Sequence, residues 1–519
     1  MQQRSLRYLS LGAAAIVLLT LFGLNLRFAS PFVRSWDEVD FVLAVGRFDL
    51  LAMQPHFPGY PYFIAGAKLV HGWVTDPVKS LIGWNAALAC SSFIPIALLA
   101  RRYVNVSAAL WSTVAIQSMP YMWLMGSRPM SECTGIAVLW WYLWSVRMAA
   151  DRPHSIPRLG AALVIFSLLM GIRVSYFPFG LALLVLLIYQ YRRESNKRIG
   201  LRRLALAITA AAGAQLIWIG GLAMSEGTLQ GFWNLSMAFI DGHFSEWGGG
   251  VASAQVPLGT RFVTLVYDHL IRDVLLNRLA VLGALYGCLI ALTGCGIWKL
   301  GSSRRTIALD GLKHHKWLII ILAAYGGWVL LGQNIEKPRH IAPIAGPLML
   351  LVYVSALKTA HWLKLSSVTG NERLWNKANA AAIPFTLAAV VIVQFISGAQ
   401  LLKLQAEQQP AVYQLNDYMG ALEQPLVLYT WEETRVLGYL KADYEHRKVY
   451  TYDYFQAITS SETEQRVYLT DHVLNGFLAQ NKAAGLDVVP VAHFTSDDRF
   501  DPVYSEITVY EWKKRDSDN

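Results

Sequence analysis

An acidic pair, Asp37 and Glu38, follows Trp36 directly and stands about ten residues beyond the first long apolar run, with Asp40 close behind. A carboxylate at a membrane surface can take the proton of an attacking hydroxyl, or hold a divalent cation beside a phosphate. The same residues also fit an ordinary acidic loop, since loops beside spans are often charged. Further on, Gln54-Pro55-His56-Phe57-Pro58-Gly59-Tyr60-Pro61 cannot form one regular helix, because three prolines and a glycine interrupt it. It predicts a stiff turn into a short interfacial or re-entrant helix over 60–74, with His56 and Tyr60 as candidate substrate contacts.

Three junctions between apolar runs carry further charges. In Arg128-Pro129-Met130-Ser131-Glu132 the acid opens an apolar helix, where the helix dipole favours it but contact with lipid would be expensive. Glu132 then either caps that helix and snorkels outward or faces the same cavity as Asp37, which makes Asp37, Glu38 and Glu132 the candidate catalytic residues; if Mg or Mn is used, Asp37 and Glu132 are its candidate ligands. Arg173, in Gly171-Ile172-Arg173-Val174-Ser175-Tyr176, and Lys337, Arg339 and His340, in Glu336-Lys337-Pro338-Arg339-His340, mark two more junctions. Guanidinium groups bind phosphate through forked hydrogen bonds and an ammonium binds it as a point charge, so with Arg128 these are candidate phosphate contacts. Contact with lipid headgroups is the competing account. Asp241, His243 and Glu246 alternate with aromatics in 239–247, a weak metal or acceptor pattern in which His243 is a candidate substrate contact.

The elements that must position these residues are apolar spans. The chain is 54% hydrophobic and 15% charged, well short of the roughly one quarter charged residues of a soluble protein. Its apolar residues bunch into windows near the ~20 residues that cross the hydrocarbon. They predict about 11 transmembrane helices, at 9–26, 80–100, 106–126, 131–149, 158–173, 177–191, 204–224, 276–298, 317–333, 340–357 and 380–400. Placing the basic loops inside makes these spans alternate, with the N-terminus cytoplasmic and the C-terminus outside. His314-His315 then falls on the cytoplasmic side. The first run reads as a retained helix rather than a cleaved signal peptide, because no strong small-x-small site follows it.

After residue 400 the periodicity changes. Segments 426–430, 448–452, 467–470, 488–494 and 507–512 read as strands, and 412–422, 432–440 and 472–484 as helices. The expected organisation is a mainly α polytopic membrane domain, 1–400, with a small extracytoplasmic α/β domain, 401–519. Residues 401–519 carry 11 Lys+Arg against 19 Asp+Glu, or −8, which leaves +18 of the net +10 on the membrane part. That basicity sits in short loops beside spans, so it is topological and argues against a nucleic-acid partner. All four cysteines fall in apolar windows, which predicts no disulfide framework and fits a bacterial inner membrane.

Taken together, Trp36-Asp37-Glu38 after the first span, His56-Phe57-Pro58-Gly59-Tyr60-Pro61, Ser127-Arg128-Pro129-Met130-Ser131-Glu132 and Lys337-Pro338-Arg339-His340-Ile341-Ala342-Pro343 resemble the motifs of the C-type glycosyltransferase (GT-C) superfamily. This is the fold of protein O-mannosyltransferases, aminoarabinose transferases and related polyprenyl-phosphate-sugar enzymes. The resemblance covers about residues 1–400 and implies transfer of a sugar from a lipid-linked donor to an extracytoplasmic acceptor in protein, lipid or glycan. It also implies that Asp37 is catalytic, acting on the acceptor or through a metal, with Glu38 its neighbour. His340 stands where such families often have Tyr. A transporter or lipid flippase, or a non-catalytic envelope assembly protein, would share the topology; a transporter should show ionisable residues near mid-membrane, whereas these gather at one face.

Overall fold

A computed structural model of the chain describes residues 2–247, 249–251, 256–300, 316–365, 371–459, 465–480 and 487–513. Arg304, Arg305, Lys313, His314 and His315 lie outside the described residues, as does the side chain of Glu246. The chain divides into two compact units, Met1–Ala29 with Ala44–Lys403, and Ser30–Leu43 with Leu404–Asn519.

The first unit is a helical bundle, and every predicted span coincides with helical backbone. Several are broken where the sequence dictates it. The 80–100 span is two helices, Pro77–Ser91 and Phe93–Ala100; the 106–126 span is Val106–Gln117 and Pro120–Gly126, restarting at a proline that has no N–H to give to the preceding turn. The 177–191 span opens as a 3-10 turn, Val174–Gly180, around Pro178 before the helix Leu181–Arg193. Among the described residues seven helices are long and apolar enough to cross a membrane, and three shorter apolar helices accompany them.

Burial separates the inner helices from the outer ones. The most apolar window of Ala342–Lys364 is 72% buried, whereas that of Lys197–Ser225 is 6% buried. Leu216, Ile217, Trp298 and Phe385 each leave more than half of their surface open. Apolar surface on that scale is unstable in water and suits a hydrocarbon surround. Inside the bundle, polar side chains bond one another across helices, which lipid would not do for them: Ser118 Oγ donates to Gln394 Oε1 at 3.0 Å, and Gln394 Nε2 donates to the Tyr286 hydroxyl at 2.7 Å. The stiff turn before residue 61 is present. Gly59 takes φ +88°, a conformation that favours glycine, and the short helix Pro61–His71 follows.

The second unit holds one five-stranded sheet in the order β2-β1-β3-β5-β4, with β1 Leu426–Thr430, β2 Glu445–Lys448, β3 Arg466–Thr470, β4 Val488–Thr495 and β5 Glu506–Trp512. β1 pairs in parallel with β2 and β3, and β5 pairs antiparallel with β3 and β4. Alternate residues Val427, Tyr429, Val467 and Leu469 face a core completed by Phe455, Val473 and Phe477 from the helices Tyr452–Thr459 and Asp471–Ala479. β2 lies three residues before the predicted 448–452, and the helix Tyr452–Thr459 has no predicted counterpart. The reason is that β2 reads Glu-His-Arg-Lys, an edge strand without apolar alternation.

Where β1 and β3 end, His472 Nδ1 lies 2.6 Å from Glu433 Oε1 and 3.4 Å from Asp471 Oδ1. Burial alone would lower the imidazole pKa, but the hydrogen bond and charge of Glu433, with Asp471, raise it to about 9. A raised folded-state pKa contributes stability that is complete below the unfolded value near 6.5 and is lost as pH climbs through 9. In the full-length protein the stability of the C-terminal unit should therefore fall across pH 6.5–9 by on the order of 2 kcal/mol, read as a drop in its thermal midpoint. His472→Gln should flatten that slope; an unchanged slope in the variant would exclude His472 as its source.

Candidate active site

Glu132 is the first residue of the helix Glu132–Asp151, where the unpaired N–H groups of the first turn favour negative charge. Its side chain is 1% exposed. A carboxylate buried to that extent is costly unless charge compensates it, and two guanidinium groups do so here. Arg173 Nη2 lies 3.1 Å and Arg339 Nε 3.2 Å from the same oxygen, Oε1. Arg173 closes the helix Ile156–Ile172, and Arg339 belongs to the 3-10 turn Pro338–His340. Residues from three junctions, far apart along the chain, thus meet at one end of the bundle.

The surroundings fix both arginines. Arg173 Nη1 donates to Ser131 Oγ at 2.9 Å, and its guanidinium lies 5.8 Å from the Tyr176 ring centre. Tyr176 meets Tyr325 edge-on at 5.6 Å, and Phe179 stacks on Tyr325 at 4.5 Å, so a buried aromatic wall backs the ion pairs. The Tyr325 hydroxyl donates to the His340 carbonyl at 2.9 Å, which anchors the turn that carries Arg339. Tyr121 lies within electrostatic reach of Arg128, Arg339 and Glu132, and Tyr60 within reach of Arg173. Tyr60 in turn hydrogen-bonds His56 Nε2 at 3.1 Å. Lys337 is half-buried and, among the described residues, its ammonium forms no hydrogen bond or ion pair.

Two guanidinium groups, of Arg173 and Arg339, therefore stand against one oxygen of Glu132, while Arg128 and Asp273 both lie within electrostatic reach of Tyr121. An excess of forked cationic donors beside buried aromatics suits a phosphate. It does not suit a divalent cation on Glu132, because both guanidinium charges would repel it. Among the described residues no group of three His, Cys, Asp or Glu side chains could hold a metal ion.

Asn85, unmarked in the sequence reading, builds the loop that delivers Glu132. Its Nδ2 donates to the carbonyls of Arg128 and Met130 at 3.0 and 2.8 Å, and its Oδ1 accepts from Thr134 N–H at 3.2 Å and Thr134 Oγ1 at 2.6 Å. A buried amide inside an apolar span was the available signal.

The second long loop between predicted spans, 225–275, anchors the same end of the bundle. Arg261 is fully buried and donates to the carbonyls of Leu330, Gly249 and Gln333 at 2.9, 2.9 and 2.8 Å. His243 Nε2 hydrogen-bonds the Gly332 carbonyl at 2.9 Å, so this candidate substrate contact holds backbone. Gly249 takes φ +63° and packs so closely that a Cβ there would stand 2.8 Å from Asn334. His269 bonds the Ile335 carbonyl. Next to it, burial would raise the Asp273 carboxyl, but hydrogen bonds from His269, Arg278 and Arg272 hold its pKa at about 2.

Asp37 belongs to the second unit. The segment 30–43 joins the sheet domain expected at 401–519 through several contacts: Val33 N–H donates to the Tyr413 hydroxyl at 3.0 Å, Arg34 Nη2 donates to the Gln405 carbonyl, and the Arg34 guanidinium lies 5.1 Å from the Phe500 ring centre. Asp37 is half-buried in the first turn of the helix Trp36–Gly46. Its neighbours are structural. Glu38 Oε2 accepts the Arg34 N–H at 2.6 Å, tying the start of the helix Trp36–Gly46 to the residues before it, and Glu38 is 1% exposed and poorly placed for chemistry. Asp40, fully buried, accepts from Arg435 Nε and Nη2 at 2.9 and 2.8 Å.

No family model matches the chain, and no curated protein matches it. Solved structures do. ArnT from Cupriavidus metallidurans bound to undecaprenyl phosphate superposes with a TM-score of 0.53 at 13% identity, over 96% of this chain and 97% of that one. The apo state of the same protein gives 0.51 at 14%, over 98% of each chain. The Archaeoglobus fulgidus oligosaccharyltransferase tethered with an acceptor peptide gives 0.47 at 12%, over 88% of this chain and 68% of that one. The chain has the GT-C membrane fold and is an integral membrane protein with a small C-terminal sheet.

Asn85→Leu keeps the volume but strips the loop before Glu132 of its hydrogen bonds, leaving two carbonyls and the Thr134 donors unmet. It should cost about 2–4 kcal/mol, seen as a lower thermal midpoint in detergent. A wild-type midpoint would show that the loop does not depend on the amide.

Proposed function

We propose that this protein is a GT-C glycosyltransferase that moves a sugar from a polyprenyl-phosphate donor to an acceptor hydroxyl outside the cytoplasm. The observation that carries the reading is the convergence of Arg173 and Arg339 on Glu132, with Arg128 close by, on a fold shared with ArnT. The ArnT structure was solved with undecaprenyl phosphate, the carrier such a donor would leave behind.

In this reading the guanidinium groups take the donor phosphate and stabilise the charge that it gains as the anomeric bond breaks. Glu132 is a positioning residue: its one oxygen fixes two guanidiniums, and it touches no reacting atom. A phosphate leaving group needs no general-acid proton, so one base suffices. Asp37 is that base, taking the proton of the acceptor hydroxyl as it displaces the phosphate with inversion. Basic loops facing the cytoplasm, that of a bacterial inner membrane, put the sheet domain outside.

The test uses purified full-length protein with undecaprenyl-phosphate-linked hexoses and pentoses, reading release of undecaprenyl phosphate. Asp37→Asn should lower kcat by about 10²–10⁴ without disturbing the thermal midpoint. Arg339→Gln should lower kcat/KM by about 10²-fold or more, as loss of a charge-stabilising donor does. Wild-type turnover by Asp37→Asn would remove that residue from the chemistry, and no release from any donor would remove the lipid-linked sugar.

A further inference from the structure

We infer that the C-terminal sheet is the device that positions Asp37, with Arg435 and Lys448 as the positioning residues. The inference rests on the proposed role of Asp37 as the base. In a sheet whose strand order reverses at β1, the crevice outside the carboxyl ends of the parallel strands is where a ligand usually sits. Here the segments that leave those ends hold a piece of the protein itself.

Trp431 follows β1, Arg435 lies on the helix Glu433–Leu440 after it, Lys448 ends β2, and Tyr450 follows. The Lys448 ammonium lies 4.5 Å from the ring centre of Trp36, 4.8 Å from that of Trp431 and 4.7 Å from that of Tyr450. Three aromatic faces thus surround one cation, which among the described residues has no carboxylate partner and no hydrogen bond. The Arg435 guanidinium lies 5.5 Å from the same Trp36 ring while it binds Asp40. Trp36 and Asp40 are four residues apart and so share one face of the helix, with Asp37 between them in sequence. The two cations therefore grip both ends of the helical turn that carries the base.

Release of that grip changes where Asp37 stands and leaves the phosphate-binding arginines untouched, so kcat should fall while KM holds. Lys448→Met keeps the length and apolar bulk of the side chain and removes the charge; Arg435→Gln removes the second cation, and Arg435→Lys restores it. In the full-length protein, amide hydrogen exchange over 30–43 should quicken at least tenfold in Lys448→Met and Arg435→Gln, with β1 and β3 unchanged. Arg435→Lys should return most of the protection. With a donor that releases undecaprenyl phosphate, kcat should drop about tenfold at constant KM.

Wild-type exchange in both charge-removing variants, or faster exchange spread over the whole sheet, overturns the inference. Quickened exchange with unchanged kcat overturns it too. Asp37→Asn keeps these two readings apart. If it turns over normally the base assignment fails, while exchange over 30–43 still decides whether the sheet holds that segment.

Discussion

One carboxylate oxygen shared by two guanidinium groups governs the end of the bundle that carries the site. Glu132 is buried, so its charge must be balanced within the protein, and the balance comes from Arg173 and Arg339 on different helix junctions. Removing Glu132 leaves two guanidinium groups without their shared counterpart. The loop before Glu132 that Asn85 holds, the aromatic wall of Tyr176 and Tyr325 and the carbonyl anchors of the second loop all lie at that end of the bundle. The surplus of positive charge that results is what a phosphate would meet.

Much of this arrangement was legible in the amino acids. Glu132, Arg173 and Arg339 stand out because charges at the ends of apolar runs are expensive without a purpose. The spans declared themselves by length, and the strands β3, β4 and β5 by alternation. Other features were hidden for physical reasons. β2 is a charged edge strand, so it lacks the period that marks its neighbours. Arg435 and Lys448 look like ordinary surface cations until the fold gives them partners about four hundred residues upstream. Glu38 looked like half of an acidic pair, and its duty shows only in the structure, where it accepts the Arg34 N–H.

The separation into two units redraws the domain boundary expected near residue 400. Residues 30–43 belong with the sheet, held by hydrogen bonds to Tyr413 and Gln405 and by the Asp40 pair. A segment that follows the first helix in sequence therefore takes its partners from the far end of the chain, 371 to 395 residues later.

Arg261 illustrates another economy. Its three acceptors are main-chain carbonyls, which carry no net charge and do not titrate, and a guanidinium keeps its proton in any ordinary medium. Being fully enclosed, the contact is also shielded from dissolved ions. The tether between the second loop and the strand of chain leading to Arg339 should thus hold equally well in acid, in alkali and in brine, a constancy that a junction built from ion pairs at the surface would lack.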